Sequence, residues 1–303
     1  MGRHPAGAVS LLLTTPRAFL RRHLRPSAPS PLAGRTVLVT GASSGIGEAT
    51  AYLVAERGGV PVLVARREDQ LQRVAAEVRR RGGTAHVHAC DLTDGSAVDA
   101  LVATLLAEHG GVDMLVNNAG RSIRRSIALS YDRMHDFERT MAINYFAPVR
   151  LMLGLLPHMV EQRFGHVVNV QTWGVQVKAP KFAAYIASKS ALDAWSRIAG
   201  RELYGDGVTF TNVRMSLVRT DMIGPTDAYA KAPALTPDQA AATVVRALED
   251  RPVTIDTLPG RVAEWLNLVL PRGSDALQHA LARRFPDSEA AARHSRTAAT
   301  SGA

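Results

Sequence analysis

From residue 35 to about residue 255 the chain alternates short apolar runs with longer stretches of helical periodicity. The runs Thr36–Val39, Val60–Ala65, Thr84–Ala89, Asp113–Val116, His166–Gln171, Val208–Val213 and Val253–Thr257 read as strands. Most are continuously apolar rather than alternating, the pattern of strands buried on both faces. Between them, Glu48–Ala55, Glu68–Arg81, Gly95–His109, Tyr131–Gln162, Ala183–Tyr204 and a stretch opened by Thr236-Pro237-Asp238-Gln239 read as helices. Asp94 and Thr236 stand where N-caps are needed, and Gly82-Gly83 supplies a C-terminal stop. Pro148 and Pro157 are expected to interrupt the longest helix. The alternation predicts an α/β fold: one doubly wound parallel sheet with helices on both faces. Residues 221–236 read as a loop folded over a ligand. Beyond the last strand, Val262–Leu270 and Ser274–Arg284 predict a helical extension. The expected organisation is therefore a basic arm and linker (1–33), the α/β domain (34–258), a C-terminal helical extension (259–287) and a disordered tail (288–303).

Composition changes this picture only at the ends. The 303 residues are 46% hydrophobic and carry a net charge of +9. Six arginines and no acid fall within residues 1–35, so most of the excess lies outside the predicted domain. The arm's apolar stretches, Ala8–Leu13 and Ala18–Leu24, are too short to span a bilayer, and no convincing cleavage site follows them. A transit peptide, a basic segment resting on an anionic membrane, and a disordered tail all remain open for it. Pro26, Pro29 and Pro31 form the linker. No nucleic-acid-binding motif accompanies the charge, so no nucleic-acid partner is expected. A single cysteine, Cys90, excludes an intrachain disulfide, suits a cytoplasmic location and is expected to be a small buried hydrophobe. No Cys/His or paired-carboxylate group has metal-ligand spacing, so no metal is implied.

The candidate chemistry begins at Thr40-Gly41-Ala42-Ser43-Ser44-Gly45-Ile46-Gly47, between the first strand and the first helix. Strand, glycine turn and helix together present free N–H groups and a helix N-terminus to a pyrophosphate. Gly41 allows the turn, Gly45 lets backbone approach phosphate, and Gly47 lets helix pack on strand. Further along stand Asn117-Asn118-Ala119-Gly120, Asn144, Thr172 and Tyr185-Ile186-Ala187-Ser188-Lys189. Tyr185 and Lys189, four apart, share one helix face. An ammonium there is expected to lower the tyrosine pKa and fit it for proton transfer.

These motifs, in this order and spacing, resemble the short-chain dehydrogenases/reductases over roughly residues 34–255. The resemblance implies a Rossmann-type nicotinamide site. It makes Tyr185 the general acid or base, Lys189 its tuner and a ribose ligand, Thr172 (in place of the usual serine) the carbonyl-orienting hydroxyl, and Asn144 the holder of a water leading to Lys189. It implies that Gly41, Ser43, Ser44, Gly45, Ile46, Gly47, Leu92, Asn118, Ala119, Gly120 and Val218 contact the cofactor. Asp91 would meet the adenine amine and Thr220 the carboxamide. The second strand ends in Ala65, where an NAD-specific member carries an acid, and Arg66 follows; positive charge there predicts NADP(H). After Val213 the usual Pro-Gly turn is replaced by Arg214-Met215-Ser216-Leu217, which leaves that turn's geometry open.

A narrower resemblance, to bacterial short-chain-type fatty acyl-CoA reductases, rests on several stretches. They are Asn117-Asn118-Ala119-Gly120-Arg121-Ser122-Ile123-Arg124-Arg125, His135-Asp136-Phe137-Glu138-Arg139-Thr140-Met141, Asn144-Tyr145-Phe146, Leu156-Pro157-His158-Met159 and Leu217-Val218-Arg219-Thr220-Asp221-Met222-Ile223. It implies reduction of a long-chain acyl-CoA to the aldehyde, with Arg121, Arg124 and Arg125 meeting CoA phosphates. The alternatives are a reductase of a lipid, 3-oxoacyl or steroid ketone, and a non-catalytic NADP-binding or membrane-docking protein. A homo-oligomer is compatible with all three.

Overall fold

A computed structural model describes residues 29–222, 232–285 and 287. Most of the arm (1–28), residues 223–231 of the expected ligand loop and the tail 288–303 lie outside the described residues.

Seven strands form one parallel sheet: β1 (Thr36–Thr40), β2 (Val60–Ala65), β3 (His86–Ala89), β4 (Met114–Asn117), β5 (Gly165–Thr172), β6 (Val208–Met215) and β7 (Thr254–Ile255). Their order is β3-β2-β1-β4-β5-β6-β7. The chain builds outward from β1 to β3 and then returns to the other side at β4. A crevice therefore opens above the carboxyl ends of β1 and β4. One face is covered by α1 (Gly45–Glu56), α2 (Glu68–Arg80) and α8 (Pro237–Asp250), which bury Val54, Leu71, Val74, Val244 and Leu248 against it. The other is covered by α3 (Gly95–His109), α5 (Ala147–Glu161) and α7 (Ala183–Glu202), through Leu101, Leu105, Leu151, Leu155 and Leu192. Strands enclosed in this way have no wet face, which explains their unbroken apolar sequences.

The predicted caps form: Asp94 accepts from the N–H groups of Ser96 and Ala97, and Thr236 and Gln239 form a capping box. Cys90 is buried, and its desolvation raises the thiol pKa.

The predicted long helix is instead α4 (Met134–Met141), a π turn (Ala142–Phe146) and α5. Pro148 has no N–H for the carbonyl of Asn144, four residues earlier, and its ring crowds that carbonyl. A π turn relieves the conflict without ending the helix; the Ala147 N–H donates to Ala142. Pro157 is absorbed within α5, where Leu153, whose carbonyl it leaves without a donor, is 59% exposed and open to water.

β6 runs to Met215, pairing it with Thr172, so the first half of the stretch that replaces the Pro-Gly turn, Arg214-Met215, is strand. Arg214 holds it there, with ion pairs of 2.8 Å to Asp193 on α7 and 3.3 Å to Asp256 after β7. A short helix, α6 (Gly174–Val177), carries no sequence signal. The extension forms as α9 (Leu258–Val269) and α10 (Pro271–Arg284). It docks where Gln176 of α6 donates to Glu264 at 2.8 Å and Asn267 donates to the Gln176 carbonyl at 2.8 Å. Trp265, Leu268 and Leu277 remain more than half exposed on its outside. No helix among the described residues is long and apolar enough to cross a membrane.

His166 is fully buried in β5, with Nδ1 2.8 Å from the Thr209 hydroxyl and Nε2 3.2 Å from the Ala247 carbonyl. Desolvation pushes its pKa down to about 3. Between that value and 6.5 the unfolded chain binds a proton that the folded chain does not, so stability falls as pH falls through this window. At about 1.4 kcal/mol per unit, His166 alone costs about 2 kcal/mol between pH 6.5 and pH 5. His166→Gln should keep the hydrogen bonds and remove that part of the acid loss, read as a smaller shift of the urea midpoint between the two pH values.

Candidate active site

The glycine loop is shaped by what stands behind it. Gly41 and Gly45 have φ of +66° and +58°, where a side chain is strained. A Cβ on Gly47 would lie 2.2 Å from the Gly41 carbonyl and 2.7 Å from the Asn118 amide. Asn118 braces the loop: its side chain donates to the Thr40 carbonyl at 2.9 Å, and the Thr40 hydroxyl accepts from the Asn118 and Ala119 N–H groups. Thr220 packs on the same loop, its methyl 3.1 Å from where a Gly45 Cβ would be.

A cleft of roughly 1640 Å³ opens here, with Gly41, Ser43, Ser44, Gly45, Ile46, Arg66, Asp91, Leu92, Asn118, Ala119, Gly120, Val218 and Thr220 on its walls and Thr172, Tyr185 and Lys189 at its floor. Of the expected cofactor residues only Gly47, behind the loop, does not face it. The volume exceeds the roughly 300–1,000 Å³ of common small-ligand pockets. A glycine cradle that a single Cβ would fill, at a helix N-terminus, fits a pyrophosphate.

Tyr185 and Lys189 come from successive turns of α7. The Lys189 ammonium is 4% exposed and donates to the Val170 carbonyl at 2.9 Å. Burial pushes its pKa down to about 8. The Tyr185 phenol is pushed up to about 12, again by burial, against the opposing effect of a hydrogen bond from the Thr172 hydroxyl. The expectation that the ammonium lowers this tyrosine is thus corrected: without a bound ligand, desolvation of the phenolate dominates. Thr172 itself accepts from the Gly174 N–H at 3.1 Å.

Asn144 sits in the π turn, fully buried and off the cleft wall. Its amide is spent on other partners: it accepts from the Arg121 N–H at 2.9 Å and donates to the Arg121 carbonyl at 2.8 Å and the Ser188 hydroxyl at 3.0 Å. Pro148, with no N–H, cannot serve its main-chain carbonyl.

The three arginines after Gly120 part company. Arg121 lines the cleft. Arg124 instead donates to the Phe285 carbonyl at 2.9 Å, and Arg125 pairs with buried Asp136 at 3.2 Å. Neither faces the cleft, which corrects the expectation of a three-arginine phosphate site. Their partners come from α4 and from the far end of the chain. The sequence reading also missed Arg67, Arg139 and Arg219, which do line the cleft. With Arg66, Arg121 and Lys189 they make six cations against Asp91 and Asp221 among the described residues. The Arg121 pKa is lowered by burial, then by Arg139 and Arg66, the mark of cations facing one another. Gln171, 3% exposed and bordering the cleft, has no hydrogen-bond partner for either amide atom among the described residues. A polar residue at the end of an apolar strand was the one signal for it.

A doubly wound sheet with a phosphate cradle and a buried Tyr-Lys pair beside it is the architecture of a dinucleotide-dependent oxidoreductase. A sequence model of the short chain dehydrogenase family matches residues 35–230. The chain belongs to the short-chain dehydrogenase/reductase family and is an oxidoreductase that uses a nicotinamide cofactor. It is 46% identical, over 95% of its length and 88% of the relative's, to an uncharacterized oxidoreductase of Mycobacterium tuberculosis. It is 45% identical to a fatty acyl-CoA reductase of Acinetobacter baylyi, over 85% of this chain and 88% of that protein. Among solved structures, a 3-oxoacyl (acyl-carrier-protein) reductase from Agrobacterium tumefaciens with NADP bound matches with a TM-score of 0.66 and 28% identity, covering 72% of this chain and 88% of that one.

Burying Lys189 is costly. Its pKa falls from 10.5 to about 8, so the full penalty applies below pH 8 and lifts as pH rises toward 10.5. At about 1.4 kcal/mol per unit, less about 1 kcal/mol for the hydrogen bond lost to Val170, Lys189→Met should stabilise the cofactor-free protein by about 2 kcal/mol at pH 7. The gain should shrink above pH 8. Denaturant unfolding checks this; a less stable variant would show that the ammonium's bond outweighs its burial.

Proposed function

We propose that the protein is an NADPH-dependent reductase that converts a long-chain fatty acyl-CoA to the fatty aldehyde. The observation that carries this reading is Arg121, a cation partly buried in the cleft and facing Arg139 and Arg66, in the same cavity as the Tyr185 and Thr172 hydroxyls. A phosphorylated substrate relieves that repulsion; a steroid or other uncharged ketone does not. The likeness to the Acinetobacter enzyme adds support.

A bound nicotinamide supplies the hydride. Tyr185, with its pKa raised, is a neutral phenol throughout the physiological range and so donates a proton to the substrate oxygen. Thr172 orients that oxygen. Lys189 would hold the nicotinamide ribose, Thr220 the carboxamide, Asp91 the adenine amine, and the loop from Gly41 to Gly47 the pyrophosphate. The Asn144 carbonyl keeps the water that leads to Lys189. The hemithioacetal formed from the thioester then loses CoA to leave the aldehyde. Peripheral membrane contact fits a lipid substrate, and the exposed Trp265, Leu268 and Leu277 on the extension support it, since Thr257 and Pro259 at its root border the cleft. Reduction of a 3-oxoacyl ketone by the same hydroxyls is the second reading, favoured by the likeness to the Agrobacterium structure.

Arg66, at the carboxyl end of β2, is placed to select the 2′-phosphate, with Arg67 next to it and 3.5 Å from the Ser43 hydroxyl. Arg66→Ala should weaken NADPH binding about ten- to a hundredfold and NADH binding little, the worth of one charge-assisted bond. Equal losses in a fluorescence titration would assign the phosphate to another residue.

With palmitoyl-CoA, NADPH oxidation should release one free thiol per turnover. Arg121→Ala should raise the KM for acyl-CoA about tenfold or more, with that for a free aldehyde unchanged. Arg124→Ala should leave both unchanged, because Arg124 is committed to Phe285. Alcohol formation from a 3-oxoacyl substrate, with no thiol from palmitoyl-CoA, would give the case to the ketone reductase.

A further inference from the structure

Outside the cleft, three histidines gather at the edge of the sheet. His86 and His88, two apart on edge strand β3, share one of its faces. α3 packs over that face and ends in Glu108-His109. His88 Nε2 and His109 Nε2 lie 3.1 Å apart. One ligand atom from each of His88, Glu108 and His109 lies within 4.8 Å of the others. His86 stacks its ring on His109, with centroids 4.5 Å apart, and so fixes that ring's position.

Two imidazoles meeting nitrogen to nitrogen have two ways to avoid repulsion. One ring can donate its proton to the other, or both lone pairs can share a cation. A tetrahedral ion with metal–nitrogen bonds of about 2.0–2.1 Å sets its nitrogens roughly 3.3 Å apart. The observed 3.1 Å therefore needs only a small adjustment. The Glu108 carboxylate favours a cation there. Arg79, near His86 and bonded to the Ala85 carbonyl at 3.2 Å, opposes one. Imidazole and carboxylate ligands together suit zinc and its neighbours rather than magnesium or calcium.

We propose that His88, His109 and Glu108 form a binding site for a divalent transition-metal ion that clamps edge strand β3 to the end of α3. The site is separate from the chemistry of the cleft. Its effect falls on the strand that leads directly into Cys90-Asp91-Leu92 on the cleft wall. Its ligands come from two elements, and His88 and His109 are 21 residues apart. That separation is not a metal-ligand spacing, so the sequence gives no sign of the site.

The test uses the full-length, tag-free protein stripped with chelator, titrated with Zn²⁺ by calorimetry and with Co²⁺ by visible absorption. One equivalent should bind, with a tetrahedral-type Co²⁺ band and a Tm higher by several degrees. His109→Gln should lower the affinity roughly tenfold or more and remove the band. Glu108→Gln, at an exposed position that folding does not need, should weaken binding while leaving NADPH turnover as in the parent. No saturable binding, or an affinity unchanged in both variants, would overturn the proposal and leave a His88–His109 hydrogen bond as the whole explanation.

Discussion

Everything in the cleft depends on how closely the start of α1 approaches the end of β1. The Gly47 Cα sits so near the Gly41 carbonyl that a methyl group would be only 2.2 Å from it. That contact fixes the entry angle of α1 and therefore the direction of its free N–H groups. Asn118 and Thr40 lock the loop to β4 from below, so the switch point of the sheet and the phosphate cradle are a single packed unit. Any side chain on Gly47 would separate helix from strand and dismantle both.

The second constraint is electrostatic. Among the described residues six cations and two carboxylates line the cleft, and one of those cations is a nearly inaccessible lysine. Such an arrangement lowers the stability of the ligand-free protein, because each cation is desolvated or faces another. The same arrangement stores affinity for an anionic ligand, whose phosphates replace repulsion by attraction. Stability given up in the empty site thus returns as binding energy.

The sheet and the motif residues were legible because they obey local rules: continuous apolar strands, glycines that need their special conformation, and caps beside periodic helices. What escaped depends on partners distant in sequence. Arg124 and Arg125 look like cleft residues in the chain, yet Asp136 and Phe285 take them away. Arg214 appears to break a turn, but Asp193 and Asp256 make it an interior strand residue. The π turn at Asn144 follows from Pro148, a conflict that periodicity records only as an interruption. Arg139 gave no sign of its place because α4 presents it to the cleft through tertiary packing alone.

The pKa shifts of Tyr185 and Lys189 also bear on proton transfer. Burial favours the neutral form of each, and the two effects oppose the ion pair that the Tyr-Lys spacing suggests. A neutral phenol is the form that can donate a proton. The lysine is different: near pH 8 a sizeable fraction of it is uncharged. A dinucleotide brings several negative charges into the cleft and raises the lysine pKa, since opposite charge favours the ammonium. At neutral pH the ammonium already prevails, and the negative charge of a dinucleotide strengthens it.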